Sequence, residues 1–185
     1  FTFLFFTLYL YILEKARQGE NKPLFAIPFI MIFWNNVHAG CVSGIGLIFL
    51  YALGEFLNKK PFKKYLIAML SAIVVLPINP WGIDYIRFLL EATTMPRPNI
   101  LEWLGLFSEQ FVLKFMKFKI FASVLLLTQI GAIIKQLKEK NFSFDKTKWL
   151  VLLFTLSLAI IHVKMIPFAV ITMTCFLYDD FYSAF

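Results

Sequence analysis

The sequence predicts an all-α fold, a polytopic transmembrane helix bundle with an extracytoplasmic loop carrying short amphipathic helices, and three observations lead there. Hydrophobic residues make up 60% of the 185 positions and charged residues 16%, against about half and about a quarter for a soluble domain. A soluble core of this size could not absorb so much Phe, Leu and Ile without leaving large apolar patches in water. The apolar residues come in continuous runs without period-2 alternation, which selects helices over the closed barrel, the other form that can span lipid. Finally, the basic residues cluster in alternate connections between the runs, the pattern of a chain that crosses a bilayer repeatedly.

The chain opens on an apolar run, Phe1–Leu13, shorter than the roughly 20 residues a crossing takes. No basic stretch precedes it and no small-residue cleavage site follows, so it reads as the tail of a helix begun upstream and not as a signal peptide. The last residues, Phe181–Phe185, also stop without a terminal tail. The expectation is a single membrane domain, 1–185, of about seven spans, belonging to a longer chain. Six further apolar segments follow the first, at Pro23–Asn35, Gly40–Leu57, Tyr65–Ile78, Phe118–Ile134, Trp149–Ile161 and Met165–Tyr178. Several need interfacial flanks to complete a crossing.

Twelve of the 18 Lys and Arg residues lie in three connections. Loop 15–22 holds Lys15, Arg17 and Lys22; loop 59–64 holds Lys59, Lys60, Lys63 and Lys64; loop 135–148 holds Lys135, Lys138, Lys140, Lys146 and Lys148. With seven spans all three face one side, which the positive-inside rule makes cytoplasmic. The net charge of +7 then reports orientation, and no nucleic acid is expected as a partner. Cys41 and Cys175 are far apart in apolar surroundings and read as small buried hydrophobes. No Cys/His cluster has metal spacing, so no metal site is expected.

The opposite side receives the connections Asn35–Gly40, Asn79–Lys117 and His162–Lys164. Only 79–117 is long, and it is the expected extracytoplasmic loop. Pro80-Trp81-Gly82 signals a turn. Ile83–Glu91 reads as a turn or two of amphipathic helix with Asp84, Arg87 and Glu91 on one face. Pro96-Arg97-Pro98 interrupts the chain. Asn99 starts a second amphipathic stretch with Trp103, Leu104, Phe107 and Phe111 as its apolar stripe, of the kind that lies flat at a membrane surface.

Polar and ionisable groups at membrane depth are costly and mark sites or pathways. Here four separate stretches bring them to one level: Asn35, Asn36 and His38; Asn79 with Asp84 and Arg87; Glu102 and Trp103; His162 and Lys164. Each also has a structural job open to it. Asn35 and Asn36 can satisfy free backbone groups at a helix end, His38 can be a hydrogen-bonded interfacial histidine, and Asn79 before Pro80 can stop a helix. Asp84 and Arg87 can pair, Glu102 can close a capping box with Asn99, and Lys164 can snorkel to headgroups. Trp34, Trp81 and Trp103 suit an interfacial aromatic belt. Glu55, near the end of its span, reads as a helix–helix contact, and Gly44 and Gly46 as close-packing positions. Phosphate-loop, dinucleotide, nucleophile-elbow and zinc-protease motifs are all missing.

Four strings, in order, resemble a group of bacterial multi-pass proteins related to the membrane-embedded GT-C glycosyltransferases. They are Phe33-Trp34-Asn35-Asn36-Val37-His38-Ala39-Gly40, Ile78-Asn79-Pro80-Trp81-Gly82, Glu102-Trp103, and Lys164-Met165-Ile166-Pro167-Phe168-Ala169. The resemblance covers Pro23 to Phe168. It implies an enzyme of the bacterial inner membrane and cell envelope that takes a sugar from a polyprenyl-phosphate donor on the outer face. It implies substrate-binding roles for Asn35, Asn36, His38, Asp84, Arg87, Glu102, Trp103 and Lys164. Lys164 stands where the group carries arginine. The acidic catalytic motif of such enzymes lies in a first outer loop that this stretch does not include, so the catalytic residues stay unassigned. No cofactor is evident, and a divalent metal would need acidic ligands from that loop. The expected partners are membrane lipid and a polyprenyl-phosphate-linked sugar. A non-catalytic scaffold or assembly subunit is the alternative. A transporter or flippase would place its ionisable groups and broken helices near the midplane, where this sequence has none.

Overall fold

The computed structural model describes residues 1–97, 99–111, 113–138 and 144–183. Among the described residues all regular structure is helical, as the continuous apolar runs require. Eight α-helices form: α1 (Thr2–Arg17), α2 (Ile27–Val37), α3 (Val42–Leu57), α4 (Lys63–Val74), α5 (Asp84–Thr94), α6 (Met116–Lys138), α7 (Lys146–Ile161) and α8 (Ile166–Ser183). The seven apolar runs supply every one of them except α5. By length and composition one segment, Ala39–Leu57, is long and apolar enough to cross a membrane, and Val163–Leu177 is a shorter apolar helix. Helix α2 has 11 residues, or about 16 Å of rise, and a 3₁₀ turn at Lys22–Ala26 leads directly into it.

The helices pack into two compact units, Phe1–Pro96 and Arg97–Phe185, which part at the Pro96-Arg97-Pro98 interruption. In the first, α1 to α4 alternate in direction. Thr2 at the start of α1 meets His38 beyond the end of α2. Arg17 at the end of α1 meets Glu55 at the end of α3, and Lys64 at the start of α4 meets Ala16 and Asn21. One end of this unit therefore carries Thr2, His38 and Asn79, and the other carries the basic segments 15–22 and 59–64.

Its core is built from Tyr9, Leu13, Met31, Trp34, Ile48, Tyr51 and Tyr65, all fully buried. Trp34 does not join an interfacial belt. It stacks on Phe5, ring centres 5.5 Å apart, and meets Tyr9 edge-on at 5.4 Å. Gly44 makes that possible, because a Cβ there would sit 2.6 Å from the Trp34 ring. Gly46 has no such role, with nothing near its missing side chain. Cys41 is buried as expected, whereas Cys175 is exposed.

Large hydrophobic side chains also line outer faces. Phe25, Phe29 and Phe33, one helical turn apart, are 78%, 65% and 69% exposed. Ile67, Leu70 and Val74 form a similar stripe on α4. A helix that is hydrophobic all round belongs either in the core of a larger protein or in a membrane.

The second unit packs α6, α7 and α8 around Phe118, Leu125, Leu152, Met173 and Leu177. The hydroxyls of Thr155 and Thr172, buried between α7 and α8, lie 2.8 Å apart, an interhelical bond of the kind small polar residues make in apolar surroundings. Asp145 caps α7 by accepting from the backbone N–H of Thr147 and Lys148. Positions 139–143 of the basic loop lie outside the described residues. Ile120, Val124, Leu127, Ile130 and Ile134 form an exposed apolar stripe along α6.

The long loop departs from expectation in two ways. Helix α5 has 11 residues, more than a turn or two, and buries Tyr85 and Leu89. The stretch from Asn99 does not form an amphipathic helix. It makes two 3₁₀ turns, Leu101–Trp103 and Glu109–Phe111. Between them the backbone bonds to the end of α7 and the turn that follows it: Leu106 N–H donates to Ile160 O at 2.9 Å and Val163 N–H to Leu104 O at 3.0 Å. Those bonds take the groups a helix would have used. Leu106 and Phe111 are buried while Phe107 points outward, so the Trp103/Leu104/Phe107/Phe111 stripe never assembles.

Candidate functional site

The sequence-derived site residues fall into two clusters, one in each unit. In the first unit the cluster forms where α2 ends beside the end of α4. Asn35 is buried, and its amide donates to Leu76 O at 2.9 Å. The Asn36 amide lies 2.8 Å from Ile78 O, 2.7 Å from Ile32 O and 2.7 Å from Asn35 Oδ1. The Leu76 and Ile78 carbonyls lie just beyond the end of α4, where backbone oxygens lack a helical partner further along. The two asparagines thus close that helix end. Asn79 continues the work, its Oδ1 accepting from Trp81 N–H at 2.8 Å in an Asx turn.

His38 is exposed, with Nδ1 accepting from the Gly40 N–H at 2.8 Å and lying 2.9 Å from the Thr2 hydroxyl. An Nδ1 that accepts from a backbone N–H carries no proton. The neutral ring therefore holds its hydrogen on Nε2, and Thr2 is the donor to Nδ1. Gly40 permits the approach, since a Cβ there would lie 2.7 Å from Nδ1.

Helix α5 follows the turn at Pro80–Gly82 and buries Tyr85 and Leu89. Asp84, Arg87 and Glu91 share the exposed face, as their spacing predicts. Arg87 does not pair with Asp84. Its Nε bonds to Glu91 Oε1 at 2.9 Å, one turn on.

In the second unit Glu102, Trp103, His162 and Lys164 converge. Lys164 Nζ bonds Glu102 Oε1 at 2.7 Å. Glu102 therefore serves Lys164 and not a capping box: the 3₁₀ turn has Ile100 at its N-cap with no side-chain cap bond. His162 Nδ1 lies 2.6 Å from Trp103 O. A carbonyl only accepts, so Nδ1 holds a hydrogen and is the donor, the opposite role to Nδ1 of His38. The Trp103 ring meets the His162 ring edge-on at 4.9 Å. Two cations lie over the same indole, Arg97 with Cζ 4.3 Å and Lys164 with Nζ 5.6 Å from the ring centre.

The sequence reading missed Arg97, Thr2 and Tyr85, and also a charged network at the basic end of the first unit. Arg17 Nε bonds Glu55 Oε1 at 3.0 Å and its Nη1 bonds Glu14 Oε1 at 3.1 Å. The Tyr51 hydroxyl donates to the same Glu14 oxygen at 2.6 Å. Glu55 does join helices, as expected, and its partner is Arg17. Lys64 reaches across to Ala16 O and to Asn21 Oδ1, and its burial pushes its pKa below the usual lysine value. At the rim, the Glu20 carboxylate beside Lys15 holds that ammonium above its usual value.

Among the described residues no group of three or more His, Cys, Asp or Glu side chains is placed to hold a metal ion. Compared with family models, with curated proteins and with solved structures, the chain finds no match. The two clusters offer hydrogen bonding from imidazoles and amides and charge pairing by Arg and Lys.

Proposed function

We propose that the chain is a polytopic membrane protein of about seven crossings that works as a glycosyltransferase-like component, taking a sugar from a lipid-linked donor at its extracytoplasmic side. The observation that carries the membrane part is the outward apolar stripe on helices of both units, typified by Phe25, Phe29 and Phe33. In water those side chains are a liability; in lipid they face their own kind. Charged groups are sorted to helix ends within each unit, with Arg17, Lys64 and their partners at one end of the first and the Asn35–His38 turn at the other.

The donor part rests on chemistry and on the resemblance of the four strings. Arg87 and Lys164 are cations suited to phosphate oxygens. His38 offers an exposed Nε2–H, and Asn35 and Asn36 are amides suited to sugar or phosphate. Membranes carrying His38→Ala or Arg87→Ala are expected to lose sugar transfer from a polyprenyl-phosphate donor while retaining folded protein. Unchanged transfer in both variants overturns the donor reading. Cysteine labelling tests the crossings: His38→Cys and Lys164→Cys should react with an impermeant thiol reagent from outside sealed cells, and Lys60→Cys should react only after lysis.

A second reading, a non-catalytic assembly subunit, is favoured by one observation. The Asn35 and Asn36 amides already engage backbone carbonyls. Full transfer activity in a partner enzyme that is lost on deleting this chain, yet kept with His38→Ala and Arg87→Ala, would select it.

A further inference from the structure

Two outward stripes of the first unit begin with a lysine, and in nearly the same register. On α4, Lys63 is followed at i+4, i+7 and i+11 by Ile67, Leu70 and Val74. Along the 3₁₀ turn and α2, Lys22 is followed at i+3, i+7 and i+11 by Phe25, Phe29 and Phe33. All of these side chains are exposed, and such spacings keep each set on one helix face. Lys64 Nζ bonds Asn21 Oδ1 at 2.9 Å, so both stripes start from the same end of the unit. From this we infer that Lys22 and Lys63 each head a seat for an anionic phospholipid, its phosphate on the ammonium and an acyl chain along the apolar side chains. The inference rests on the membrane reading above and is independent of the donor reading.

The cations of this end are divided between two jobs. Lys15 bonds Glu20, Arg17 bonds Glu14 and Glu55, and Lys64 bonds Ala16 O and Asn21 Oδ1. Those three serve the fold and engage the carboxylates of Glu14, Glu20 and Glu55. Lys22 and Lys63 have no side-chain partner among the described residues. Their ammonium groups, with three donors each, remain for a phosphate. Lys59 and Lys60, exposed on the connection that leads to Lys63, add to the attraction for an anionic headgroup layer.

The apolar stripe decides the kind of anion. A soluble phosphate or polyanion would use the lysines and leave the stripes in water, where exposed apolar patches are costly. The rise from Lys63 to Val74 is about 16 Å, close to half of the roughly 30 Å hydrocarbon core of a bilayer. One stripe thus matches the depth of one leaflet, with its lysine at headgroup level. A phosphate and an acyl chain joined in one molecule satisfy both parts. Zwitterionic phosphatidylcholine offers the same chain, but its own quaternary ammonium competes with the lysine for the phosphate.

The test uses the whole chain in nanodiscs of phosphatidylcholine doped with phosphatidylglycerol, and reads by native mass spectrometry the lipid that stays bound. Phosphatidylglycerol should be enriched over its share of the disc. That enrichment should fall about fivefold for each of Lys22→Ala and Lys63→Ala, and Lys22→Arg and Lys63→Arg should keep it. Phe29→Ala or Leu70→Ala, with charge unchanged, should lower the retention of both lipids. Enrichment unchanged in the Lys22→Ala, Lys63→Ala double variant overturns the seats. So does displacement of phosphatidylglycerol by heparin together with no effect of Phe29→Ala, which makes the basic end a surface for a soluble polyanion. A chain that enters the discs and shows no enrichment refutes the seats and spares the membrane reading. A chain that stays out of the discs and remains dispersed in water refutes both.

Discussion

Removing the Arg17 side chain should be among the most damaging single changes in the first unit. Arg17 and Glu55 have side chains only 12% and 5% exposed, so water screens little of their interaction. Arg17 also bonds Glu14, which accepts from Tyr51, so one guanidinium serves two carboxylates from α1 and α3. Breaking a buried pair by deleting one partner costs about 3–5 kcal/mol, because the partner's charge is left behind in a poor solvent. Arg17→Met keeps most of the aliphatic volume and removes the charge, so about 3 kcal/mol is expected. At roughly 2–4 °C per kcal/mol for a chain of this length, the melting temperature in detergent should fall by about 10 °C. Glu55→Gln should cost less, since its amide oxygen still accepts from Arg17 and Glu14 still balances the cation. The double variant Arg17→Met, Glu55→Gln should be more stable than the sum of the singles by about 1 kcal/mol or more. A thermal-unfolding cycle read by intrinsic fluorescence measures all four species. An Arg17→Met loss below about 1 kcal/mol, or strict additivity, would show that the pair is not a clamp.

Gly44→Ala should destabilise by about 1–3 kcal/mol through overpacking, because the new methyl meets the Trp34 ring at 2.6 Å; chemical denaturation checks it, and wild-type stability would mean that the aromatic trio shifts freely. Phe29→Arg or Leu70→Arg should reduce membrane insertion, by about 2.5–3.5 kcal/mol near the centre of a crossing; a fractionation assay that finds either variant membrane-bound at the parental level argues against lipid on that face. Lys64 titrates below the ordinary lysine value in the folded chain because of burial. Its folded state binds fewer protons than the unfolded one as pH climbs through the interval between the two values, so stability should rise with pH there. Below both values the desolvation penalty is fully present. Lys64→Met should flatten that slope, and an unaltered slope in unfolding curves would refute the assignment.

The sequence makes the helices legible and leaves the contacts between them obscure, for a physical reason. A continuous apolar run has few options other than a helix, so α1 to α4 and α6 to α8 appear where the runs are. The apolar period also marks α5, though the burial of Tyr85 and Leu89 along its 11 residues is encoded by no local pattern. The stretch after Asn99 has a helical stripe in its sequence. It loses the helix to the backbone at the end of α7 and the turn that follows it, about 60 residues on, and propensity is a weak prior against such tertiary bonding. The candidate residues are similarly divided. Asn35, Asn36 and His38 are adjacent in sequence and remain neighbours in space. The Glu102–Lys164 pair and the Arg97–Trp103 stack depend on which faces of distant turns meet. Arg17, counted among the topology-setting charges, is held by Glu55 in a network that only the register between α1 and α3 creates.

The phenylalanine ladder that runs from the 3₁₀ turn Lys22–Ala26 into α2 has a practical consequence for anyone handling the molecule. On the proposed membrane reading, a ring presented at every turn toward the surroundings meets an amphiphile, and whatever coats the folded chain becomes part of its thermodynamics. Melting temperatures and oligomer size should then track the chain length of the detergent or lipid that covers Phe25, Phe29 and Phe33, so comparisons between variants would hold only within one coating.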